Sequence, residues 1–305
     1  MKNYLICMLI FYMGEVHAQM MNDYPFQSHV EHPAYKHGKG PKVLVDKAHH
    51  NFIVEMGLIK PLIDVLQSDG YQTTIDSCVF TAAYLARFDL VVITPAMPFT
   101  FGTKNEVTME KTFSEDELVS LRDWVGEGGS LLVLSEHAPI DKSMDPLLRT
   151  FGIASSRGAL EDPIHCDSTI KIPGVSTYIK FNRQNGLLNT AHPIIKGRNL
   201  QEQVNQLITY TGSSLSGEGY TNVLKLAPSA TQKKWNGTMP GGLGNSQCLA
   251  GSVGKGRVVA LGDCNGFTAM YVLNKAGEKL EAGMQVKSLD WKQFALNTFH
   301  WLSKH

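Results

Sequence analysis

Two adjacent histidines, His49 and His50, follow the β-forming run Val43, Leu44 and Val45, with Asp46 before them and Asn51 after. An imidazole beside carboxylates can coordinate a divalent cation through nitrogen and oxygen. It can also move protons, because its unperturbed pKa lies near ~6.5. Comparable groups follow two other apolar runs, Glu136 and His137 after "LLVLS" and Asp263, Cys264 and Asn265 after "VVALG", whereas "VVIT" ends in Thr94 and runs into Pro95. In an open parallel α/β sheet such positions share one rim, beyond the carboxyl ends of the strands. His50 and His137 are therefore expected as proton-transfer groups or metal ligands. Asp46, Glu136 and Asp263 would orient them or complete a coordination shell, and Asn51 and Asn265 would contact substrate. Of the two adjacent histidines, His50 is expected to point inward, because Asn51 and the start of a helix follow it directly. No HExxH-type spacing fixes a ligand set, so a divalent metal stays one option and metal-free acid–base chemistry the other. The plainer alternative is that the histidine bonds a loop carbonyl and Glu136 pairs with a cation.

Three further stretches carry chemistry-bearing side chains. In "NTAHPIIKG" (189–197), His192 precedes a proline that locks a turn, and His192 is expected to reach the pocket and close it. "ALEDPIHCD" (159–167) gathers Glu161, Asp162, His165, Cys166 and Asp167, which would make a ligand cluster if folded over the pocket and a solvated loop if not. "WNGTMPGGLGN" (235–245) is Gly-rich but lacks the Lys-Ser/Thr of a phosphate loop. Its Trp235 is the one candidate aromatic platform, and Asn236-Gly237-Thr238 is a glycosylation sequon.

The elements that must position these groups are legible as patterns. Strands are expected at 42–46, 71–75, 89–95 and 130–137, and a helix with an apolar face at 54–68 that stops at Gly70. Ser114-Glu115-Asp116-Glu117 is a capping box, and Leu118, Leu121, Trp124 and Val125 line the helix it opens. Strand, helix and strand with short connections imply parallel pairing. From about 160 to 250 short β-like pieces, among them "TIKI" (169–172), "YIKF" (178–181) and "VLKLA" (223–227), suggest a β-rich insertion. "SVGKGRVVALGD" (252–263) reads as a hairpin turning at Gly254-Lys255-Gly256. A last helix, 290–303, places Trp291, Phe294, Ala295, Thr298, Phe299 and Leu302 on one face.

The 305 residues are 43% hydrophobic and 18% charged, with 28 basic and 28 acidic side chains. That balance suits a globular chain and offers no basic surplus for nucleic acid or anionic membrane. Residues 1–18 read as a secretory signal: Lys2, a short apolar run "YLICMLIFYM", and Val16-His17-Ala18 before Gln19. Residues 19–40 follow as an extended arm and 41–305 as an α/β domain. The expectation is an exported protein with no membrane span after signal removal. Cys78, Cys166, Cys248 and Cys264 are spaced too irregularly to specify a pairing.

"VLVDKAHHNF", "DLVVITPAMPFT", "FSEDELVSLRDWVGEGGSLLVLSEHAP", "AHPIIKGR" and "GRVVALGDCNGF" together resemble the class I glutamine amidotransferase-like superfamily, in an exported branch adjacent to the ThuA-like proteins. The resemblance covers most of 42–303 as an order of elements. It implies a flavodoxin-like three-layer sandwich with a mainly parallel central sheet and a β-rich insertion, and it hints at sugar-related substrates. Amidotransferases carry a cysteine at a strand-to-helix elbow. Here "LLVLS" runs into Glu136-His137-Ala138-Pro139 instead, so glutamine hydrolysis is not expected. The resulting expectation is a hydrolase- or lyase-type enzyme for a small polar or carbohydrate-like substrate. The rival is a non-catalytic binding module of an exported complex.

Overall fold

The computed structural model of the protein describes residues 19–22, 26–101, 107–109, 111–167, 178–234, 241–273 and 278–305. The expected signal at 1–18, the strand "TIKI", Trp235 and the sequon lie outside the described residues. A nine-stranded sheet organises the chain. Its strands are β1 (Lys42–Asp46), β2 (Gln72–Asp76), β3 (Leu90–Ile93), β4 (Ser130–Leu134), β5 (Ile153–Ser155), β6 (Leu215–Gly217), β7 (Thr221–Lys225), β8 (Ser246–Val253) and β9 (Gly256–Leu261). They are ordered β2-β1-β3-β4-β9-β8-β6-β5, with β7 also on β8.

The pairings from β2 through β9 are parallel, and every pairing beyond β9 is antiparallel. The sheet is thus mixed rather than mainly parallel. The cause is local: Gly254 and Lys255 reverse the chain tightly, and Gly254 adopts φ +58. Part of the β-rich stretch consequently extends the central sheet. Smaller pairs stand outside it, such as Tyr178–Asn182 with Gln206–Tyr210, and Ala159–Glu161 with Thr231–Lys233. At the start of the expected arm, Gln19–Asn22 pairs with Ala269–Leu273.

Strand alternation decides the layers. Val43, Val45, Leu90, Val92, Leu132, Leu134, Val259 and Leu261 face one core, and Leu44, Val91, Ile93, Leu131, Val133, Val258 and Ala260 face the other. The first core is covered by α1 (Lys60–Ser68) and by the last helix, Trp291–Leu302. The second is covered by α2 (Glu115–Glu127) and α3 (Asp141–Thr150); the last helix is therefore α4. Near-continuous apolar strands are what a sheet buried on both faces requires. Trp291, Phe294, Ala295, Thr298, Phe299 and Leu302 are all buried. The first expected helix is broken in two, Phe52–Glu55 and α1, at Gly57 with φ +73. The capping box forms with both reciprocal bonds. Helix α3, with Pro146 inside it, was not signalled by any cap or clear periodicity.

Candidate functional site

The carboxyl ends of the parallel strands do bring acidic and imidazole groups together, in two clusters. The first lies beyond β4 and β9. Glu136 and Asp263 are buried side by side and share one donor. The Asn265 Nδ2 donates to Glu136 Oε2 at 3.0 Å and to Asp263 Oδ1 at 2.9 Å. Glu136 also accepts from the His137 backbone N–H (3.0 Å) and from the Cys264 thiol (3.1 Å). Asp263 accepts from the backbone N–H groups of Asn265 (2.8 Å) and Tyr210. The His137 Nε2 is 4.0 Å from Glu136 Oε1, and its Nδ1 lies 2.7 Å from the Ala138 carbonyl. His137 is the member that reaches water, with a quarter of its side chain exposed against 4% for Glu136.

Burial sets the protonation of this cluster. It pushes Glu136 up to about 7, against the bonds from His137, Cys264 and Asn265. Burial, with the Glu136 charge second, also pushes Asp263 up to about 7, against the bonds from Tyr210 and Asn265. Burial lowers the His137 pKa, opposed by the Ala138 carbonyl and the Asp263 charge. Two carboxyl groups poised near neutrality beside an imidazole can give and take protons at neutral pH. The Cys264 thiol is different. Burial and then the two carboxylates push it well above its ordinary value. A thiol so held is a hydrogen-bond donor rather than a nucleophile.

The second cluster lies beyond β1, and it reverses one expectation. His49 points inward, 4% exposed, whereas His50 is exposed with φ +54. The left-handed backbone at His50 directs its carbonyl to the Met97 N–H and leaves the ring outside. The His49 Nδ1 sits 2.8 Å from Asp46 Oδ2, and its Nε2 2.9 Å from Glu117 Oε1. Phe80 and Phe113 pack on the ring, with centroids at 4.7 and 4.6 Å. Burial opposes charge on His49, but the bonds and charges of Asp46 and Glu117 outweigh it and raise its pKa. The result is a shielded imidazolium between two carboxylates, which ties the β1 loop to the start of α2. Glu117 is legible in the sequence only as a cap. Nothing in the spacing marks it as the partner of His49.

The other expected residues disperse. Asn51 is fully buried, accepting from the His49 N–H (3.1 Å) and donating to the Thr94 carbonyl (3.1 Å). It pins two loops together rather than facing a substrate. His192 is not at this rim. Its Nδ1 accepts from the Ile194 N–H at 3.3 Å, capping the short helix Pro193–Lys196, and its ring lies 5.4 Å from that of Trp301. Arg257, whose charge it senses, is the second residue of β9 and pairs with Ser130 at the start of β4, so His192 belongs to the amino rim. Asp162 is buried and organises its own loop, accepting from Ile164 N, His165 N and Ser229 Oγ. Among the described residues no three His, Cys, Asp or Glu side chains are arranged to share a metal ion. Among the described residues the four cysteines are free, with Cys78 and Cys166 exposed and Cys248 and Cys264 buried.

No family model and no curated protein matches this chain. Solved structures do. The N-terminal domain of mmIFT52 superposes with a TM-score of 0.57 at 15% identity, over 87% of this chain and 98% of that one. The fold is shared with that domain. A ThuA-like protein from Parabacteroides merdae gives a TM-score of 0.46 at 13% identity, over 87% of this chain and 90% of that one. Another from Bacteroides uniformis gives 0.43 at 10%, over 88% and 94%. At such identities the likeness is one of fold and does not transfer an activity. No helix among the described residues is long and apolar enough to cross a membrane.

Proposed function

We propose that the protein is an exported enzyme of hydrolase or lyase type, built on a flavodoxin-like, amidotransferase-like sandwich and acting on a small polar or carbohydrate-like substrate. The observation that carries this reading is the single amide of Asn265 joining Glu136 and Asp263, 3.0 and 2.9 Å away, beside the partly exposed His137. His137, as the group at the surface, meets the substrate and transfers the proton. Glu136 and Asp263 form its proton reservoir, and Asn265 holds the two carboxyls in register. His50 has no part in this chemistry.

A second reading rests on a specific observation: among the described residues, the bonds of Glu136 and Asp263 tie together separate chain segments, from His137, the end of the strand Gln206–Tyr210 and the turn at Cys264–Asn265. The same cluster would then brace a non-catalytic ligand-binding module. Histidine-selective NMR with a panel of monosaccharides, disaccharides and uronic acids separates the two. Enzyme action requires a compound that shifts the His137 resonances and is converted, with conversion falling roughly 10²–10⁴-fold in His137→Ala, the usual range for a lost acid–base group. A shift without conversion selects the binding module. If no member of the panel moves His137, this rim is not where ligand binds and both readings fall.

A further inference from the structure

The amino rim holds a cavity of about 360 Å³, walled by Arg198, Arg257, His300, Trp301, Lys304 and His305 among others. No acidic side chain lines it among the described residues. The nearby carboxylates lie behind the wall and are already engaged. Glu202 accepts from Arg198, at 2.7 Å for the closest contact, and Asp69 Oδ2 lies 2.7 Å from His300 Nε2. Two cations remain without a carboxylate among the described residues. Arg257 donates to the Trp301 carbonyl and lies 4.9 Å from the centre of the Trp301 ring. Lys304 donates to the Lys255 carbonyl, at 2.8 Å.

The decisive atom is the Nδ1 of His300. It is buried with no hydrogen-bond partner, on a side chain only 5% exposed that lines the cavity. A buried ring nitrogen left unpaired is destabilising and calls for a partner that the described residues do not supply. Asp69, holding the opposite nitrogen, fixes the ring in the cavity wall.

We propose that this cavity binds a phosphoryl group, free or in a small monoester, through Arg257, Lys304 and His300. Two unpaired positive charges match a dianion. The planar fork of Arg257 suits two phosphoryl oxygens, Lys304 adds a point charge, and the His300 ring adds a hydrogen bond through Nδ1, as acceptor from a P–OH or, when the ring carries a second proton, as donor to a third oxygen. The cavity leaves room for a few further atoms against the Trp301 ring. Burial lowers the Arg257 pKa, a strain that a bound anion relieves.

Calorimetric titration of the full chain with glycerol 3-phosphate, inorganic phosphate and glycerol tests this. The titration is repeated on a chain carrying a short glycine tail after His305, so that a charged terminus there cannot be the occupant. Saturable heat is expected from at least one phosphate and none from glycerol. Tighter binding of the ester identifies a monoester site, and tighter binding of the ion a free-phosphate site. Arg257→Gln should weaken binding at least about tenfold and the exposed Lys304→Gln about threefold or more, the scale of one lost charge-assisted contact. A melting curve establishes that each variant is folded. Absence of saturable heat up to about 10 mM, tenfold above a millimolar Kd, overturns the proposal. So does heat that both variants leave unchanged.

Discussion

Strand β9 carries one chemistry at each end. Arg257, at its start, is a cation with no carboxylate partner among the described residues. Asp263, two residues past its end, is a buried acid wrapped in donors and pressed toward neutrality by burial and by Glu136. The carboxyl rim is acidic, buried and internally bonded. The amino rim is basic, open to a cavity and short of partners. A satisfied cluster of unlike groups holds loops in place and tunes protons, whereas an unsatisfied cluster of like groups asks for a counter-ion. The two rims therefore lend themselves to different experiments.

The largest effect is expected at the carboxyl rim. Glu117→Ala removes an acceptor from the buried His49 imidazolium and from the capping box at once, and should cost roughly 3–5 kcal/mol, as breaking a buried ion pair does. Urea denaturation measures it, and a loss under about 1 kcal/mol, the value of a surface pair, would show that the trio is not a buried unit.

The pH dependence of stability is expected to come next in size. Glu136 and Asp263 rise in the folded state from 4.5 and 3.8 to about 7. The folded protein thus holds more protons than the unfolded chain between those limits. Their contribution is fully present below the unfolded values and is lost as pH rises through about 7. His49, also raised, loses its contribution as pH climbs through its folded value, whereas His137 and His192, both lowered by burial, act in the opposite sense. Unfolding free energy should fall from pH 5 toward 8, and Glu136→Gln should flatten the slope. An unchanged slope in that variant would place the titrating groups elsewhere.

Smaller effects sharpen the contrast at the other end. His192→Ala should lose about 0.5–1 kcal/mol by removing a side-chain cap, while leaving the His137 resonances unmoved. A shift at His137 would mean that the rims communicate. Smallest of all, His50→Ala should change stability by less than about 0.5 kcal/mol, as exposed substitutions do, and should spare any conversion seen in the NMR panel. Loss of that conversion would return His50 to the site.

Much of this architecture was readable in advance, and the misses have physical reasons. Apolar runs such as "LVVI" and the Ser114–Glu117 cap are local signals, so the strands they mark and α2 stand where expected. Glu136, His137, Asp263 and Asn265 converge because the parallel pairing of β4 with β9 was implicit in their patterns. The choice between His49 and His50 turned instead on one left-handed residue, which a sequence without glycine at that position does not announce. The placement of His192 depended on which rim its loop reaches, a matter of chain path rather than composition. The His300 site was invisible because Asp69, Arg198, Arg257 and His300 are scattered along the chain and only packing assembles them.

Glu117 closes the cap of α2 with one oxygen and grips His49 with the other. Fraying that helix by a single turn would strand a charged ring among Phe80 and Phe113, so neither segment can loosen by itself. The amides at Glu117 and His49 should accordingly exchange with solvent at a common rate, as members of one opening unit spanning the gap between them.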